Sequence, residues 1–205
     1  IYDFDVHHGN GTQDIFYNDK NVLFFSTHRS FYPGTGSMEK IGSSSAMGYN
    51  INVNFSSAYW DKDILTFCNE IMIPIAKEYN PELVIISAGF DAVDGDPLGC
   101  NHLSTAVYGH ITKMLGELVN GKVIMCLEGG YNVDQSAISA CECIKVLTGQ
   151  QPSPLPPCSK RSNDLLLQQV KKNLAPYWSC FRKPVDIQSY GHMGRLIKSL
   201  MKKQI

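Results

Sequence analysis

Two short apolar runs, LVIISAG (83–89) and KVIMCLEGG (122–130), constrain the fold more than any other feature of the chain. Each is rich in β-branched residues, is apolar at successive positions and ends in glycine, as expected of a strand covered on both faces. IYDFDV (1–6) and VLFFSTH (22–28) read the same way, while YNINVNF (49–55) alternates strictly and predicts a strand with one face less deeply buried. Helical periodicity fills the intervals. Asp61 to Tyr79 carries Ile64, Leu65, Phe67, Cys68, Ile71, Met72 and Ile75 at helical spacing, with a kink expected at Pro74. Ser104 is placed to cap a helix with an apolar face of Val107, Ile111, Met114 and Leu118. Asp134 is placed to cap another, with Ile138, Cys141, Ile144 and Leu147, ending at Gly149. A further helix is expected from Asn163 to Asn173. Strands and helices alternating at this length predict an α/β chain with a mostly parallel sheet and helices on both faces. Ligands then belong in the crevice beyond the carboxyl ends of the strands.

The 205 residues suffice for one domain with a sizeable core. A net charge of −1 supplies no basic field for direct nucleic-acid binding, and no apolar run is long enough to span a bilayer. Because the chain starts at Ile1 on what reads as a central strand, its amino-terminal portion is expected to be missing. Cys68, Cys100, Cys126, Cys141, Cys143, Cys158 and Cys180 form no C-x-x-C pair, so reduced thiols are expected rather than a disulfide framework. The proline-rich stretch 151–160 ends the alternating pattern, and 183–205 reads as a basic amphipathic tail. In it Met193, Leu196, Ile197, Leu200 and Met201 make one apolar stripe, suited either to packing on its own domain or to a partner's groove.

Chemistry-bearing residues fall at the predicted strand ends. Asp3, Asp5 and His7 alternate along an extended segment and share one side of it, where two carboxylates and an imidazole call for a cation. Asp91 follows the fourth strand and can complete an Asp-His-Asp set with one coordination position left open, the pattern of a catalytic metal. Oxygen and nitrogen ligands suit zinc, iron or cobalt alike. Asp94 and Asp96 read as turn or supporting residues. Gly129 and Gly130 bring Tyr131 to the same crevice, where a phenol can serve as an oxyanion donor or a structural group.

Taken in order, DVHHGNGTQ (5–13), FYPGTG (31–36), GFDAVDGDPLG (89–99) and LEGGYN (127–132) resemble the zinc-dependent histone deacetylases. Glu128 and Asn10 resemble the class II branch, and the likeness runs from residue 1 to 182, the carboxy-terminal part of the catalytic domain. The resemblance implies an arginase/deacetylase-like fold, with one Zn2+ on Asp5, His7 and Asp91 and with Tyr131 steadying the oxyanion. It implies a K+ site from Asp3, the Ser26 hydroxyl and the carbonyls of Asp5, His7 and Thr27. Tyr32, Leu98, Gly129 and Gly130 would line an acyl-lysine tunnel, Tyr32 standing where phenylalanine is commoner. The implied reaction is metal-assisted hydrolysis of acetyl-lysine on histones or other proteins. Corepressor partners, transcription repression and a nuclear or cytoplasmic location go with it. The family's His-His general base pair lies ahead of the first ligand and is not in this chain, so the fragment alone is expected to be a poor catalyst.

Alternatives are a polyamine or other small acylated-amine deacetylase, and a non-catalytic partner-binding scaffold. A two-manganese ureohydrolase would need carboxylates where Gly9 and Val93 stand. His8 reads as a supporting or packing residue. His28 reads first as packing or surface, with support of the metal-site loop as the other possibility; His102, His110 and His192 read as loop, helix and tail.

Overall fold

The computed structural model describes residues 1–157 and 163–182; Cys158, His192 and the 193–203 stripe lie outside them. Five strands, β1 (Tyr2–Asp3), β2 (Phe24–Arg29), β3 (Asn50–Phe55), β4 (Val84–Ala88) and β5 (Val123–Leu127), form one sheet in the order β3-β2-β1-β4-β5. Every pair is parallel. The helices are α1 (Asn10–Phe16), α2 (Asp61–Phe67), α3 (Ile73–Tyr79), α4 (Thr105–Leu118), α5 (Val133–Leu147) and α6 (Asp164–Leu174).

Register sorts the two faces of the sheet. Ile51, Phe25, Tyr2, Ile86 and Met125 form one row, an apolar face that packs on the helices. Phe67 of α2 sits against Tyr2 and Phe25, with centroids 5.9 and 6.1 Å apart, and Phe4 and Phe90 each pack on Tyr108 of α4. The alternate row, Asn52, Ser26, Asp3, Ser87 and Cys126, is polar. Under β2 and β3 that face is covered by α1, whose Gln13 carbonyl accepts from the side-chain amides of Asn50 and Asn52 at 3.0 and 2.8 Å. Under β5 it is open, with Ile124 and Cys126 exposed.

Several local expectations are corrected. IYDFDV is laddered only at Tyr2–Asp3 and bends at residues 5–7, because the Asp3 carboxylate accepts the Asp5 N–H (3.1 Å) and the Asp5 carboxylate accepts the His7 N–H (2.8 Å). Such side-chain turns withdraw amides from the ladder. The alternating polar face of β3 is the less deeply buried one only at Asn54; Asn50 and Asn52 are buried, and their side-chain amides donate to Gln13. Residues 61–79 are helical throughout, but a π turn at Cys68–Met72 separates α2 from α3 just before Pro74, which has no N–H to offer an α-helical ladder. Ser104 stands at the N-cap of α4 without capping through its side chain; its hydroxyl and N–H donate to the Asp61 carboxylate. Asn132, not Asp134, caps α5 by accepting the Gln135 N–H. The apolar stripe of α5 does not face its neighbour α4 either. Ser139, Glu142 and Cys143 are its buried residues, while Ile138, Ile144 and Leu147 are exposed. Buried Glu142 is satisfied by Lys145 and by the N–H and hydroxyl of Ser153, which anchors the proline-rich segment there.

Phe67 joins the sheet to its helical layer. Phe67→Ala should cost about 3–5 kcal/mol, the usual penalty for an aromatic deleted from a packed core, read from denaturant unfolding.

Candidate metal centre

From the central strand β1 the sheet grows one way to β2 and β3 and the other way to β4 and β5, so the crevice at a switch of strand order opens beyond the ends of β1 and β4. Asp5 and His7 lie on the bend after β1, and Asp91 follows β4. One ligand atom from each of the three lies within 4.8 Å of the others. His7 Nδ1 is 2.9 Å from Asp5 Oδ1 and 3.1 Å from Asp91 Oδ2. Backbone groups hold the carboxylates from behind: Val6 N–H donates to Asp91 Oδ1 (2.7 Å) and Gly129 N–H donates to Asp5 Oδ2 (3.3 Å). Approach this close needs glycine. A Cβ on Gly129 would stand 2.4 Å from Asp91 Oδ2, and one on Gly89 would stand 2.0 Å from Asp5 Oδ2. Gly129 thus packs directly against both carboxylates.

The charges here are poorly balanced by the protein itself. Burial, reinforced by Asp5, pushes the Asp91 carboxyl up to about 7. Burial, then Glu128 and Asp5, pushes Asp3 up to about 9, and burial also raises Glu128. Asp91 is 0% exposed, and its Oδ2 has no hydrogen-bond donor. Buried carboxylates are stable when paired or when they coordinate a metal. Two carboxylates and an imidazole converging on one point fit a divalent ion of the zinc type. Asp3 stands apart from that cluster; its Oδ2 packs on Gly9 and its strand neighbour is Ser26. The hydroxyl of Thr27 is engaged with the Tyr2 hydroxyl at 3.0 Å, which leaves only its carbonyl for a cation.

A cavity of about 500 Å³ opens over the cluster, with Tyr32, Leu98 and Tyr131 on its walls. The rings of Phe31 and Tyr32 stand edge-on to His7, at 5.4 and 5.7 Å. A larger cavity of about 710 Å³ lies at the other ends of the strands, lined by Tyr2, Leu23, Met72 and Val84. Among the described residues, no cluster of potential ligands accompanies it.

Asp96 and His28 do more here than sequence reasoning foresaw. Asp96 collects four backbone N–H groups, from Leu98 and Gly99 on one oxygen and Tyr131 and Asn132 on the other, tying both rim loops together. Burial alone would raise its carboxyl; the four donors outweigh that and hold it below the usual range. The D-x-x-D-G-D-P spacing signalled a turn but could not show that residues 131–132 share it. His28 is 0% exposed rather than on the surface. Its Nε2 lies 3.0 Å from the Gly36 carbonyl, its Nδ1 2.9 Å from Ser26 Oγ, and its ring 4.6 Å from His8. Burial and the facing His8 hold it down to about 3, so the ring is neutral. His8 Nδ1 meets the Thr35 hydroxyl at 2.7 Å. His102 meets Asp94 at 2.7 Å and stacks on Trp60, and His110 Nε2 donates to the Ser153 carbonyl.

Fold and site together define a parallel α/β scaffold with a candidate metal centre at the carboxyl ends of its central strands. The histone deacetylase domain family matches residues 1–147, and the chain belongs to that family. It is 49% identical over 157 residues to histone deacetylase 15 of Arabidopsis thaliana, covering 74% of this chain and 28% of that protein. It is 40% identical over 193 residues to histone deacetylase HDA1 of Saccharomyces cerevisiae, covering 89% and 27%. The crystal structure of the HDA15 HD domain superposes with a TM-score of 0.82 at 43% identity, covering 88% of this chain and 52% of that one. The histone deacetylase Clr3 superposes with a TM-score of 0.84 at 37% identity, covering 99% and 36%. The chain therefore spans little more than a quarter of the length of the first two relatives.

Asp96→Asn should lower stability by about 1–3 kcal/mol at neutral pH by weakening charge-assisted bonds to backbone donors. The depressed carboxyl contributes stability above its unfolded pKa, near 4, and loses it as pH falls through the lower folded value. The gap between wild type and variant should therefore close in acid, as read from thermal melts at pH 7 and pH 3.

Proposed function

We propose that the protein hydrolyses the acetyl amide of acetyl-lysine on histones or other proteins, using a single Zn2+ held by Asp5, His7 and Asp91. The observation that carries this reading is the convergence of those three ligand atoms at the switch of strand order, beneath a cavity that Tyr131 flanks. A zinc ion there supplies Lewis-acid polarisation and a water of lowered pKa. Asp5 and Asp91 orient the site through their backbone bonds, and the Tyr131 hydroxyl donates to the oxygen on which charge develops. Tyr32 and Leu98 flank the path of the acyl-lysine chain.

A mononuclear site is favoured because the positions a second metal would require are Gly9 and Val93, the latter buried in the apolar core. Asp3 and Ser26, side by side across β1 and β2, support the companion K+ site with the carbonyls of Asp5, His7 and Thr27. Residues 1–182 are read as the carboxy-terminal part of the catalytic domain; the stretch 183–205, a basic amphipathic tail by its sequence, lies outside the described residues. The face of β5 at Ile124 and Cys126 and the α5 stripe of Ile138, Ile144 and Leu147 are exposed. Acetylated histones suit this reading because the relatives are named histone deacetylases, and corepressor partners with a nuclear or cytoplasmic location form part of the same proposal. No helix of the described residues is long and apolar enough to cross a membrane.

The test is hydrolysis of an acetyl-lysine peptide by the full gene product. A chelator should abolish it and stoichiometric zinc restore it, with one metal per chain by elemental analysis. Asp91→Ala should remove both metal and activity, and persisting activity would overturn the single-metal reading. Tyr131→Phe should keep the metal and lower kcat by roughly 100–1000-fold, the loss typical of an oxyanion donor.

A further inference from the structure

We infer that His28 is a positioning residue that commits the Ser26 hydroxyl proton to itself, so that Ser26 can face a cation only with its lone pairs. The inference rests on the potassium part of the proposed function and adds the group that makes Ser26 a fit ligand.

The proton positions follow from the partners. The Gly36 carbonyl can only accept, so the Nε2 of His28, 3.0 Å away, carries a hydrogen. The ring is enclosed and neutral, which leaves Nδ1 as an acceptor. Ser26 Oγ is 2.9 Å from that nitrogen, and it is the partner holding a proton to give. Ser26 and His28 are two apart on β2, so both side chains lie on the polar face of the sheet. Asp3 is the direct neighbour of Ser26 across β1–β2 and lies on the same face.

Without His28 the Ser26 hydroxyl would be free to rotate and turn its proton into the polar face of the sheet, where Asp3 is its strand neighbour. With the proton taken by His28, Ser26 presents its lone pairs on the face of the sheet that carries Asp3. Such an arrangement favours a hard cation with oxygen ligands.

The other ring nitrogen fixes the imidazole in place. Gly36 has φ of +80°, and a Cβ there would stand 2.5 Å from His28 Nε2 and 2.5 Å from His8 Cδ2. The turn thus closes on two imidazoles only because residue 36 lacks a side chain, and its carbonyl holds His28 in the orientation that Ser26 needs.

Two near-isosteres separate the two bonds. In His28→Asn the side-chain carbonyl can take the place of Nδ1 and keep the acceptor for Ser26. In His28→Gln the amide can take the place of Nε2, keeping the tie to Gly36 and losing the acceptor. The readout is the melting temperature of the zinc-loaded full chain in potassium chloride minus that in choline chloride at equal ionic strength. A cation that binds only the folded state raises Tm, so wild type should gain several degrees. Ser26→Ala should lose most of the gain. His28→Gln should lose about two thirds or more of it, and His28→Asn should keep most of it even if both melt lower in choline.

A merely structural histidine would lower Tm equally in the two salts, and an unchanged potassium gain in His28→Gln overturns the inference while the cation site stands. No gain in wild type means that the cation reading itself fails, and the inference falls with it. Should His28→Gln not fold, the potassium midpoint of His28→Asn decides. A value within about threefold of wild type is expected, and a loss of tenfold or more overturns the inference.

Discussion

The hydrogen bond from the Val6 N–H to Asp91 Oδ1, 2.7 Å long and spanning 85 residues of sequence, is the interaction on which the site depends. It joins the chain leaving β1 to the chain leaving β4, the two central strands from which the sheet grows in opposite directions. With Oδ1 occupied, Oδ2 is left buried beside His7 with no hydrogen-bond donor. The surrounding backbone conforms to this pair of carboxylates. Gly89 and Gly129 approach within distances that any side chain would forbid, and Phe90 N–H donates to the Gly129 carbonyl to close the β4 and β5 loops around them.

This arrangement gathers carboxyl groups that burial pushes toward their protonated forms. Asp3, Asp91 and Glu128 are all raised by burial, and the imidazoles of His8 and His28 are held neutral by the same cause. Asp5 and His7 line a cavity whose wall also carries Tyr131, held there by Asp96 through the N–H groups of residues 131 and 132.

Much of the fold was legible in the sequence, because burial on both faces writes continuous apolar runs into strands. All five strands formed where those runs stand, and the helices at 61–79, 105–118 and 164–174 followed their periodicity. Errors came where a side chain had competing uses. Ser104 satisfies Asp61 instead of capping, and Asn132 rather than Asp134 caps α5. On the polar face of β3, Asn50 and Asn52 are buried and donate to Gln13. For α5, periodicity named the apolar stripe correctly, but a stripe does not say which side meets a neighbour. Its contact with α4 runs through Ser139, Glu142 and Cys143.

By itself the sequence determined the chemistry available: Asp5, His7, Asp91 and Tyr131 at the carboxyl ends of strands, in an order that resembles one enzyme family. Strand ends are local properties, and ligand types and spacing are read directly from the chain. Tertiary structure alone decided which of those residues meet, and in what state. It set Asp5 and His7 on a bend instead of a strand and kept Asp3 apart from them beside Ser26. It also buried His28 between the Ser26 hydroxyl and the Gly36 carbonyl. Those outcomes depend on strand order and long-range packing, which bring together groups tens of residues apart and set the burial that fixes their protons.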